Sequence, residues 1–339
     1  MEKINIAVIG TGIYGENHVA FLASSQLANL KCICDINKAR AELIGEKYDV
    51  KTFTDIEEMF DSEDIDAVVI ATPDPFHYEP AIKAINAKKH VLIEKPMALS
   101  VEECLSINDS AIKNGVRVAV DFHKRWDPAA ISIKNNLESE KSDKILHGYM
   151  SMDDIIDVPT KWLSWSYLSS PAFFLGVHCY DLIRWYMQCE AKEVYAKGQK
   201  EELKLRGIDT YDSIQAMITF ENGAVWTVEN SWIIPSSFPK SNDGKTLILG
   251  NNRYIRMDSQ NRGLEIFDNI KSFTPNPYFI NYFDNKPFGF GIQPLADFIK
   301  DLEQNKPFLA DGKDGIEATR IAQAVHQSLE KGSPVIIDH

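Results

Sequence analysis

Apolar residues in the first third of the chain come in short unbroken runs that alternate with amphipathic stretches. Such runs predict strands of a parallel sheet, because both faces of that kind of sheet are covered. The six runs are residues 4–9, 30–34, 50–52, 67–71, 90–93 and 116–120. The stretches between them predict helices over residues 16–25, 37–48 and 77–87 and at two capping boxes, Thr54 with Glu57 and Ser100 with Glu103. Strands separated by helices predict an α/β fold with a doubly wound parallel sheet.

The pattern changes after residue 122. Helices are expected at residues 128–138 and 176–188, with a strand at 145–152 and an irregular, Trp- and Ser-rich segment at 153–171 between them. Longer strand patterns then follow at residues 193–199, 213–220, 224–232, 246–249 and 253–257. Residues 270–291 predict a loop, and helices at 292–304 and 313–331 close the chain.

Consecutive strands in this second part predict hairpins. Glu221-Asn222-Gly223 is a hairpin turn signal, because Asn-Gly tolerates positive φ at both of its positions. The second part is therefore expected to be an α+β domain with a mostly antiparallel sheet. We assign residues 1–122 to the first domain and residues 123–339 to the second, and 339 residues suffice for both.

A glycine turn follows the first strand. Gly10, Gly12 and Gly15 have G-x-G-x-x-G spacing, and the second strand ends in Asp35, 20 residues beyond Gly15. This arrangement predicts a dinucleotide-binding Rossmann sheet, with pyrophosphate at the helix N-terminus and Asp35 on the ribose hydroxyls. A 2′-phosphate would be repelled by Asp35, so NAD is expected rather than NADP. The predicted cofactor-binding residues here are Gly10, Thr11, Gly12, Ile13, Tyr14, Gly15 and Asp35.

Composition limits which molecules this protein can be expected to bind and where in the cell it can be expected to lie. The formal net charge of −13 argues against nucleic acid and anionic membranes, which need a basic surface. Five scattered cysteines form neither a disulfide framework nor a C-x-x-C metal motif, so no metal is predicted. The chain has no apolar run of roughly 18 residues, and its first strand begins too early to leave room for a signal peptide. A cytoplasmic protein is expected.

Charged side chains also occur where strands of the first domain end, which is where open parallel sheets bind ligands. The segments are residues 72–77, 94–96 and 121–125. Glu94 and Lys95 end an apolar strand, where a charged pair is costly unless something uses it. Position alone leaves two interpretations of Lys95, a solvated lysine and a functional ammonium whose direction Pro96 fixes.

In the second domain, His178 and Asp181 are neighbours on a predicted helix, at positions i and i+3. The carboxylate would orient the imidazole for proton transfer. Spacing alone favours the simpler alternative, a histidine satisfied on a buried helix face.

These segments resemble the Gfo/Idh/MocA family of glucose–fructose oxidoreductase and inositol dehydrogenase. The resemblance covers nearly the whole chain and rests on the glycine turn, on Ala71-Thr72-Pro73 with His77 and, most specifically, on Glu94-Lys95-Pro96. Phe122–Pro128 and Gly176-x-His178-x-x-Asp181 resemble two further family motifs. The resemblance implies that Lys95 and His178 are the catalytic pair. It also implies further cofactor-binding residues, which are Thr72, Pro73, Pro75, His77, Glu94 and Lys95.

The chain departs from the family at one catalytic position. Many members carry an aspartate four residues before the catalytic histidine, where this chain has Phe174, and Ser169-Ser170-Pro171 replaces the usual glycine run. Either the catalytic pair acts alone, or another aspartate takes that role. The alternatives are Asp153, Asp154, Asp157 and Asp181. A member that no longer catalyses is a further alternative.

The resemblance implies an NAD-dependent dehydrogenase that transfers a hydride between a sugar or inositol-like polyol and the nicotinamide. His178 would act as general base, and Lys95 would position the hydroxyl and stabilise the alkoxide. The predicted substrate-binding residues are Lys95, Lys124, Arg125, Trp162, Trp165, His178 and Asp181. Two other functions stay open, a non-catalytic NAD-binding regulator and an NAD-dependent glycosidase. A homodimer or homotetramer is expected, because one face of an antiparallel sheet still needs a cover.

Overall fold

The computed structural model describes residues 3–139, 144–260, 262–267, 270 and 272–339. The chain divides into two compact units. The first unit runs through Trp126 and includes Tyr278–Ile316, and the second consists of Asp127–Pro277 and Glu317–His339. The predicted boundary between residues 122 and 123 thus lies four residues before the first unit's opening segment ends. The first unit also takes residues 278–316, which the prediction had assigned to the second domain.

The regular elements are numbered along the chain. The strands are β1 (Ile4–Ile9), β2 (Ala28–Cys34), β3 (Lys51–Phe53), β4 (Ala67–Ile70), β5 (His90–Glu94), β6 (Val118–Asp121), β7 (Ile145–Ile155), β8 (Ala191–Gln199), β9 (Ser213–Phe220), β10 (Val225–Ile234), β11 (Asn242–Gly250), β12 (Tyr254–Asp258), β13 (Ile266–Phe267), β14 (Ser272–Phe273), β15 (Asn281–Phe283), β16 (Lys286–Phe288) and β17 (Val335–Ile336). The α-helices are α1 (Ile13–Ser24), α2 (Lys38–Tyr48), α3 (Ile56–Ser62), α4 (Tyr78–Asn86), α5 (Val101–Asn114), α6 (Pro128–Ser139), α7 (Val177–Met187), α8 (Glu202–Leu205), α9 (Gln293–Glu303) and α10 (Gly312–Lys331).

The first unit contains a six-stranded parallel sheet in the order β3-β2-β1-β4-β5-β6. At its centre β4 is buried throughout, and all four of its residues are inaccessible to solvent. Leu295, Phe298 and Ile299 of α9 pack into the same core. Continuous apolar runs are what a sheet covered on both faces requires, so the predicted doubly wound parallel sheet is confirmed.

The helix starts of the first unit confirm one predicted cap and correct another. The Ser100 side chain accepts a hydrogen bond from Glu103 N at 3.2 Å, as predicted for α5. At α3 the cap is Asp55, whose carboxylate accepts from Glu58 N at 2.9 Å, and the prediction of Thr54 was wrong by one residue. Asp and Thr are both good N-cap residues, and only the register of the helix decides between adjacent ones.

The second unit contains a seven-stranded sheet in the order β12-β11-β7-β10-β9-β8-β17. All neighbouring pairs are antiparallel except β7 with β10, which confirms the predicted mostly antiparallel sheet. Burial alternates along β9 and β10, and Trp226, Val228 and Trp232 are fully buried on the covered face. This period of two is the pattern expected when one face of a sheet packs on the core.

Two local predictions in the second unit need correction. The β9–β10 hairpin forms, but Gly223 has positive φ (85°) whereas Asn222 does not, and the Asn222 side chain accepts from Ala224 N instead. The segment from 153 to 171 is only partly irregular. β7 continues to Ile155, and a π-helical turn at Val158–Trp162 follows. The sequence pattern did not predict this continuation, because two aspartates lie near the strand end and aspartate is depleted in strands.

Within the part of the chain that the structure describes, no helix is both long enough and apolar enough to cross a bilayer.

Candidate functional site

The glycine turn joins β1 to α1 through close backbone contacts. Gly10 has φ +87°, and a Cβ there would lie 2.7 Å from the Ala71 and Thr72 backbone. A Cβ on Gly15 would lie 2.1 Å from the Gly10 carbonyl oxygen. Around Gly12, by contrast, a Cβ would meet no atom within 4 Å. Two of the glycines are thus required by the fold itself, and the third leaves open space at the N-terminus of α1.

That helix end suits a phosphate group. Gly12 is the N-cap of α1 and offers no side-chain cap to the first-turn N–H groups. Such N–H groups bind anions, and the helix dipole favours negative charge there. Ile13, 69% exposed, lies at the start of this first turn. The residues present therefore fit the pyrophosphate of a dinucleotide.

Asp35 lies at the end of β2 and is held next to the turn. Its Oδ2 accepts hydrogen bonds from Thr11 N and Thr11 Oγ1, both at 2.8 Å, and its Oδ1 accepts from Asn37 N at 2.9 Å. The Arg40 guanidinium also donates to Thr11 O, at 2.7 Å. A carboxylate has about four acceptor positions, so Asp35 is oriented and still has capacity for a ribose hydroxyl.

His77 connects two of the predicted segments of the first unit. Its Nδ1 lies 2.6 Å from Pro96 O and its Nε2 lies 2.8 Å from Thr72 O. Burial lowers the pKa of His77, and the charge of nearby Asp74 opposes this only in part. The imidazole therefore lies between the loop that contains Pro73 and Pro75 and the residue after Lys95, and in its neutral form it donates its one N–H to one of the two carbonyl oxygens.

Lys95 follows β5 directly and is only 9% exposed. The peptide bond to Pro96 is cis. Glu94, the last residue of β5, is also buried, and its Oε1 lies 2.7 Å from the Nε2 of His18 on α1. The ammonium is thus a buried charge at the sheet edge that also carries the glycine turn and Asp35.

Lys124 and Arg125 follow β6. Arg125 is buried, pairs with Asp314 at 2.8 Å and donates to Leu309 O at 2.5 Å. The Lys124 ammonium lies 5.6 Å from the ring centroids of Phe279 and Phe290. These contacts account for the positions of Lys124 and Arg125 within the first unit. That the two side chains contact a substrate stays a prediction.

In the second unit, His178 and Asp181 lie on the first turns of α7 and are both buried. The helix continues from a π-helical turn, Ala172–Gly176. A Cβ at Gly176 would lie 2.7 Å from Tyr180 Oη and 2.8 Å from Asn230 Oδ1. Glycine is therefore needed before His178 because the chain passes close to polar groups of α7 and β10.

Phe174 occupies the position where many family members carry aspartate. Its ring lies 6.0 Å from that of Trp165 and 5.7 Å from that of Trp232, centroid to centroid. Trp162 is about half exposed, at 47%. An aromatic cluster thus stands where the family pattern has a carboxylate, and Trp165 belongs to it.

Sequence reasoning missed three polar residues of this region, Tyr180, Asn230 and Trp232. Tyr180 Oη and Trp232 Nε1 are buried and have no hydrogen-bond partner among the described residues. Asn230 Nδ2 donates to Met152 O at 3.2 Å. Buried polar groups are normally satisfied, so unsatisfied ones indicate a bound ligand or water. The inward position of Asn230 in the alternation of β10 was the available signal.

Two clusters of described residues bring potential metal ligands within 4.8 Å of one another. They are His18 with Glu94 and Asp121, and Glu190 with Glu317 and His339. In the second cluster, Arg184 pairs with Glu190 and Arg320 pairs with Glu317. Those two carboxylates therefore already have cationic partners, and the absence of a metal stays a prediction.

Comparison with known families matches both parts of the chain. Residues 4–122 match the oxidoreductase family NAD-binding Rossmann fold, GFO_IDH_MocA, and residues 133–256 match the GFO/IDH/MocA C-terminal domain. An uncharacterized oxidoreductase of Bacillus subtilis, YrbE, is 27% identical, and the alignment covers 100% of this chain and 98% of that protein. Inositol 2-dehydrogenase of Acidothermus cellulolyticus is 26% identical, with coverage of 98% and 95%.

A solved structure shows the same fold. The crystal structure of myo-inositol 2-dehydrogenase from Lactobacillus plantarum superposes with a TM-score of 0.86 at 23% identity, covering 99% of this chain and 100% of that one. Together with the two family matches, the glycine turn and the parallel sheet, this places the protein: the chain belongs to the GFO/IDH/MocA family of NAD-binding oxidoreductases.

Proposed function

We propose that this protein is an NAD-dependent dehydrogenase that oxidises one hydroxyl of an inositol-like polyol or a sugar. The observation that carries the proposal is the edge of the first unit's sheet. There the glycine turn after β1, Asp35 after β2 and the buried Lys95 after β5 all follow carboxyl ends of parallel strands. This edge combines a dinucleotide-binding arrangement with an ammonium suited to stabilise an alkoxide.

The cofactor would be held by residues of the first unit. First-turn N–H groups of α1 would bind the pyrophosphate, and Asp35 would accept hydrogen bonds from the ribose. Thr72, Pro73, Pro75 and Glu94 are proposed to line the remainder of the cofactor site. When bound, NAD supplies the acceptor for the hydride.

Two side chains are proposed to act on the substrate hydroxyl. His178 accepts the hydroxyl proton, because neutral imidazole is an effective base near pH 7. Lys95 donates a hydrogen bond to the same oxygen and stabilises the negative charge that develops as the proton leaves. Asp181, three residues after His178, is proposed to orient substrate or imidazole.

Polyols are proposed as substrates on two grounds. Several relatives of this chain are named inositol dehydrogenases. In addition, the buried Tyr180 Oη and Trp232 Nε1 have no partner in the described chain, and the aromatic surfaces of Trp162 and Trp165 are in the same unit. Hydroxyl-rich rings need hydrogen-bond partners on their edges and flat apolar surfaces against their C–H faces. Lys124 and Arg125 are proposed as further donors.

The test is NADH formation with a panel of inositols, aldoses and aldonic acids. Turnover of at least one polyol supports the proposal. NAD binding without turnover across the panel would favour a regulator, and glycoside cleavage without net NADH would favour a glycosidase. Either result would contradict the dehydrogenase assignment.

The catalytic pair is tested by substitution. Lys95→Ala and His178→Ala should each lower kcat by roughly 10²-fold or more and leave the Kd for NAD nearly unchanged. Gln188→Ala, at the exposed end of α7, is the matched control and should behave as wild type. Full activity of either catalytic variant would refute its assigned role.

A homodimer or homotetramer and a cytoplasmic location are part of the same proposal. The open face of the second unit's sheet carries half-exposed side chains, including Met217 at 51%, and a second copy would cover them. Light scattering coupled to size exclusion measures the mass directly, and a monomer would contradict the assembly.

A further inference from the structure

Three charged side chains connect the glycine turn of the first unit to helix α2. The Arg40 guanidinium donates from Nε to Thr11 O at 2.7 Å, and its Nη2 pairs with Glu16 Oε2 at 2.6 Å. The other carboxylate oxygen of Glu16 pairs with the Lys47 ammonium at 2.7 Å. Glu16, on α1, therefore holds two cations of α2, and the proposed reaction uses none of these three charged groups.

Arg40 also lies next to Asp35, the proposed partner of the ribose. Thr11 joins the two, because its carbonyl oxygen accepts from Arg40 while its N and Oγ1 donate to Asp35 Oδ2. Asn37 joins them a second time. Its N donates to Asp35 Oδ1 at 2.9 Å, and its Oδ1 accepts from Arg40 N at 3.2 Å. A group that extends from the ribose beyond Asp35 would therefore come close to Arg40.

The surface around Asp35 and Arg40 is open to a ligand. Ile36, which follows Asp35 in the chain, is 93% exposed, and a Cβ on Gly12 would meet no atom within 4 Å. Among the described residues, the Nη1 group of Arg40 has no hydrogen-bond partner. In dinucleotide-binding folds an arginine near the ribose can accommodate the 2′-phosphate of NADP, and guanidinium groups bind phosphate strongly. Arg40 is thus placed to be such a residue.

The charges around Arg40 decide whether it attracts a phosphate. Partial burial raises the pKa of Glu16, but hydrogen bonds from Lys47 and Arg40 outweigh this effect and lower that pKa overall, so Glu16 is ionised near neutral pH. The two cations are then balanced by the carboxylates of Glu16 and Asp35. Asp35 repels a 2′-phosphate directly, whereas Glu16 neutralises the guanidinium that would receive it.

We propose that Glu16 is a second determinant of the preference for NAD, because it neutralises Arg40, which would otherwise bind the 2′-phosphate of NADP. Glu16 is a positioning residue that acts through Arg40, so the two carboxylates exclude NADP by different means. The inference rests on the proposed function in one respect, which is the placement of the ribose at Asp35. Removal of both carboxylates should therefore admit NADP better than removal of Asp35 alone.

Fluorescence titration with NADPH and NADH measures both Kd values without any turnover. Glu16→Gln in the Asp35→Asn background should lower the Kd for NADPH about tenfold further, because it releases a charge-assisted hydrogen-bond donor to the phosphate. The Kd for NADH should stay within about twofold of that of Asp35→Asn, since glutamine keeps the shape of the side chain and can still accept a hydrogen bond from Arg40. Glu16→Ala removes the same carboxylate and replaces this variant if Glu16→Gln fails to fold.

A further substitution tests whether Glu16 acts through Arg40. In the Asp35→Asn/Arg40→Gln background, Glu16→Gln should change the Kd for NADPH by less than about twofold, because no guanidinium is left to release. A tenfold gain that persisted there would mean that the charge of Glu16 itself repels the phosphate, and it would overturn the proposal. The gain in the presence of Arg40 should also shrink as the salt concentration rises, because exposed charges are screened.

Glu63→Gln is the matched control. Glu63 pairs with Lys51 at 2.6 Å in the same unit, but Lys51 begins β3, whereas the proposed cofactor residues follow the ends of strands. In the Asp35→Asn background this variant should leave both Kd values unchanged. An equal gain from Glu63→Gln, or no gain from Glu16→Gln in a protein that binds NADH, would overturn the inference alone. A wild type that bound neither NADH nor NADPH would refute the proposed cofactor site and the inference with it.

Discussion

In the first unit the candidate functional residues follow carboxyl ends of parallel strands, whereas in the second they lie on a helix and on one face of a mostly antiparallel sheet. Gly10, Asp35 and Lys95 each come directly after a strand. His178 instead lies on α7, and Asn230 and Trp232 are inward residues of β10. A strand end can be located from local sequence, but a position on a face depends on register with distant strands. Functional residues are therefore easier to identify from sequence in the first unit than in the second.

Each unit contains a glycine, Gly15 in α1 and Gly148 in β7, that a larger residue cannot replace without movement of its neighbours. A Cβ at Gly15 would meet the Gly10 backbone oxygen at 2.1 Å, and one at Gly148 would meet the buried Trp226 ring at 2.4 Å. The first contact lies in the proposed phosphate-binding turn, and the second lies in the core of the other unit.

The largest effects are expected from Gly15→Ala and Gly148→Ala. Overpacking typically costs 1–3 kcal/mol, and we expect about 3 kcal/mol at Gly15, where backbone cannot give way, and about 2 kcal/mol at Gly148. Calorimetry and NAD titration check both. Gly15→Ala should also abolish measurable NAD binding, whereas Gly148→Ala should retain it. Equal loss of NAD affinity in the two variants would contradict the assignment of the cofactor to the first unit.

An effect of opposite sign, no larger than that at Gly148, is expected near the end of β7. Burial first, then the charges of Glu229 and Asp243, raise the pKa of Asp153 to about 7. The folded chain thus holds a proton that the unfolded chain releases near pH 4, so stability falls as pH rises from about 4 to about 7. Asp153→Asn removes this penalty. It should stabilise by on the order of 2 kcal/mol near pH 8 and by almost nothing near pH 4.

Asp243→Asn is the control for that prediction. Burial opposes ionisation of Asp243, but hydrogen bonds from Gln260 and Lys245 lower its pKa overall. Its contribution is present above the ordinary carboxyl pKa and is lost as pH falls through the lowered one. The Asn variant should therefore be destabilised near pH 8, and thermal melts that show the same sign for both variants would contradict the assigned charges.

Substitution of Asp35 should have a more modest effect, on the preference for NAD over NADP. Asp35→Asn keeps the shape of the side chain but removes the charge that repels a 2′-phosphate, so kcat/KM should fall about tenfold with NAD and rise with NADP. Thr11→Val removes only the hydroxyl that donates to Asp35 at 2.8 Å. It should weaken NAD use slightly without improving NADP. A wild type that already prefers NADP would refute the role of Asp35.

The sequence was sufficient to predict both sheets, because burial on two faces and burial on one face leave different periods in the chain. It also placed Lys95 at a strand end and His178 near the start of a helix. It did not reveal the pairing of Asp121 with Glu94, because the two are 27 residues apart and meet only through the β5–β6 register. Nor did it assign residues 278–316 to the first unit, since helix periodicity does not indicate which core a helix covers.

The smallest predicted effect concerns how helices begin. In the first unit α3 and α5 start at side-chain caps, Asp55 and Ser100, whereas α7 in the second unit starts at Gly176 without one. Replacing either cap by alanine leaves a helix N–H without its acceptor, so Asp55→Ala and Ser100→Ala should each cost about 1 kcal/mol. Thr54→Ala, one residue away, should cost less than about 0.5 kcal/mol.

Calorimetry with and without NAD measures these costs. NAD raises the melting temperature of the unit that binds it, so the transition that shifts on addition of NAD belongs to the first unit. If Thr54→Ala lowered that transition as much as Asp55→Ala does, α3 would begin one residue earlier, as the capping-box pattern predicted, and the Asp55 cap would be wrong.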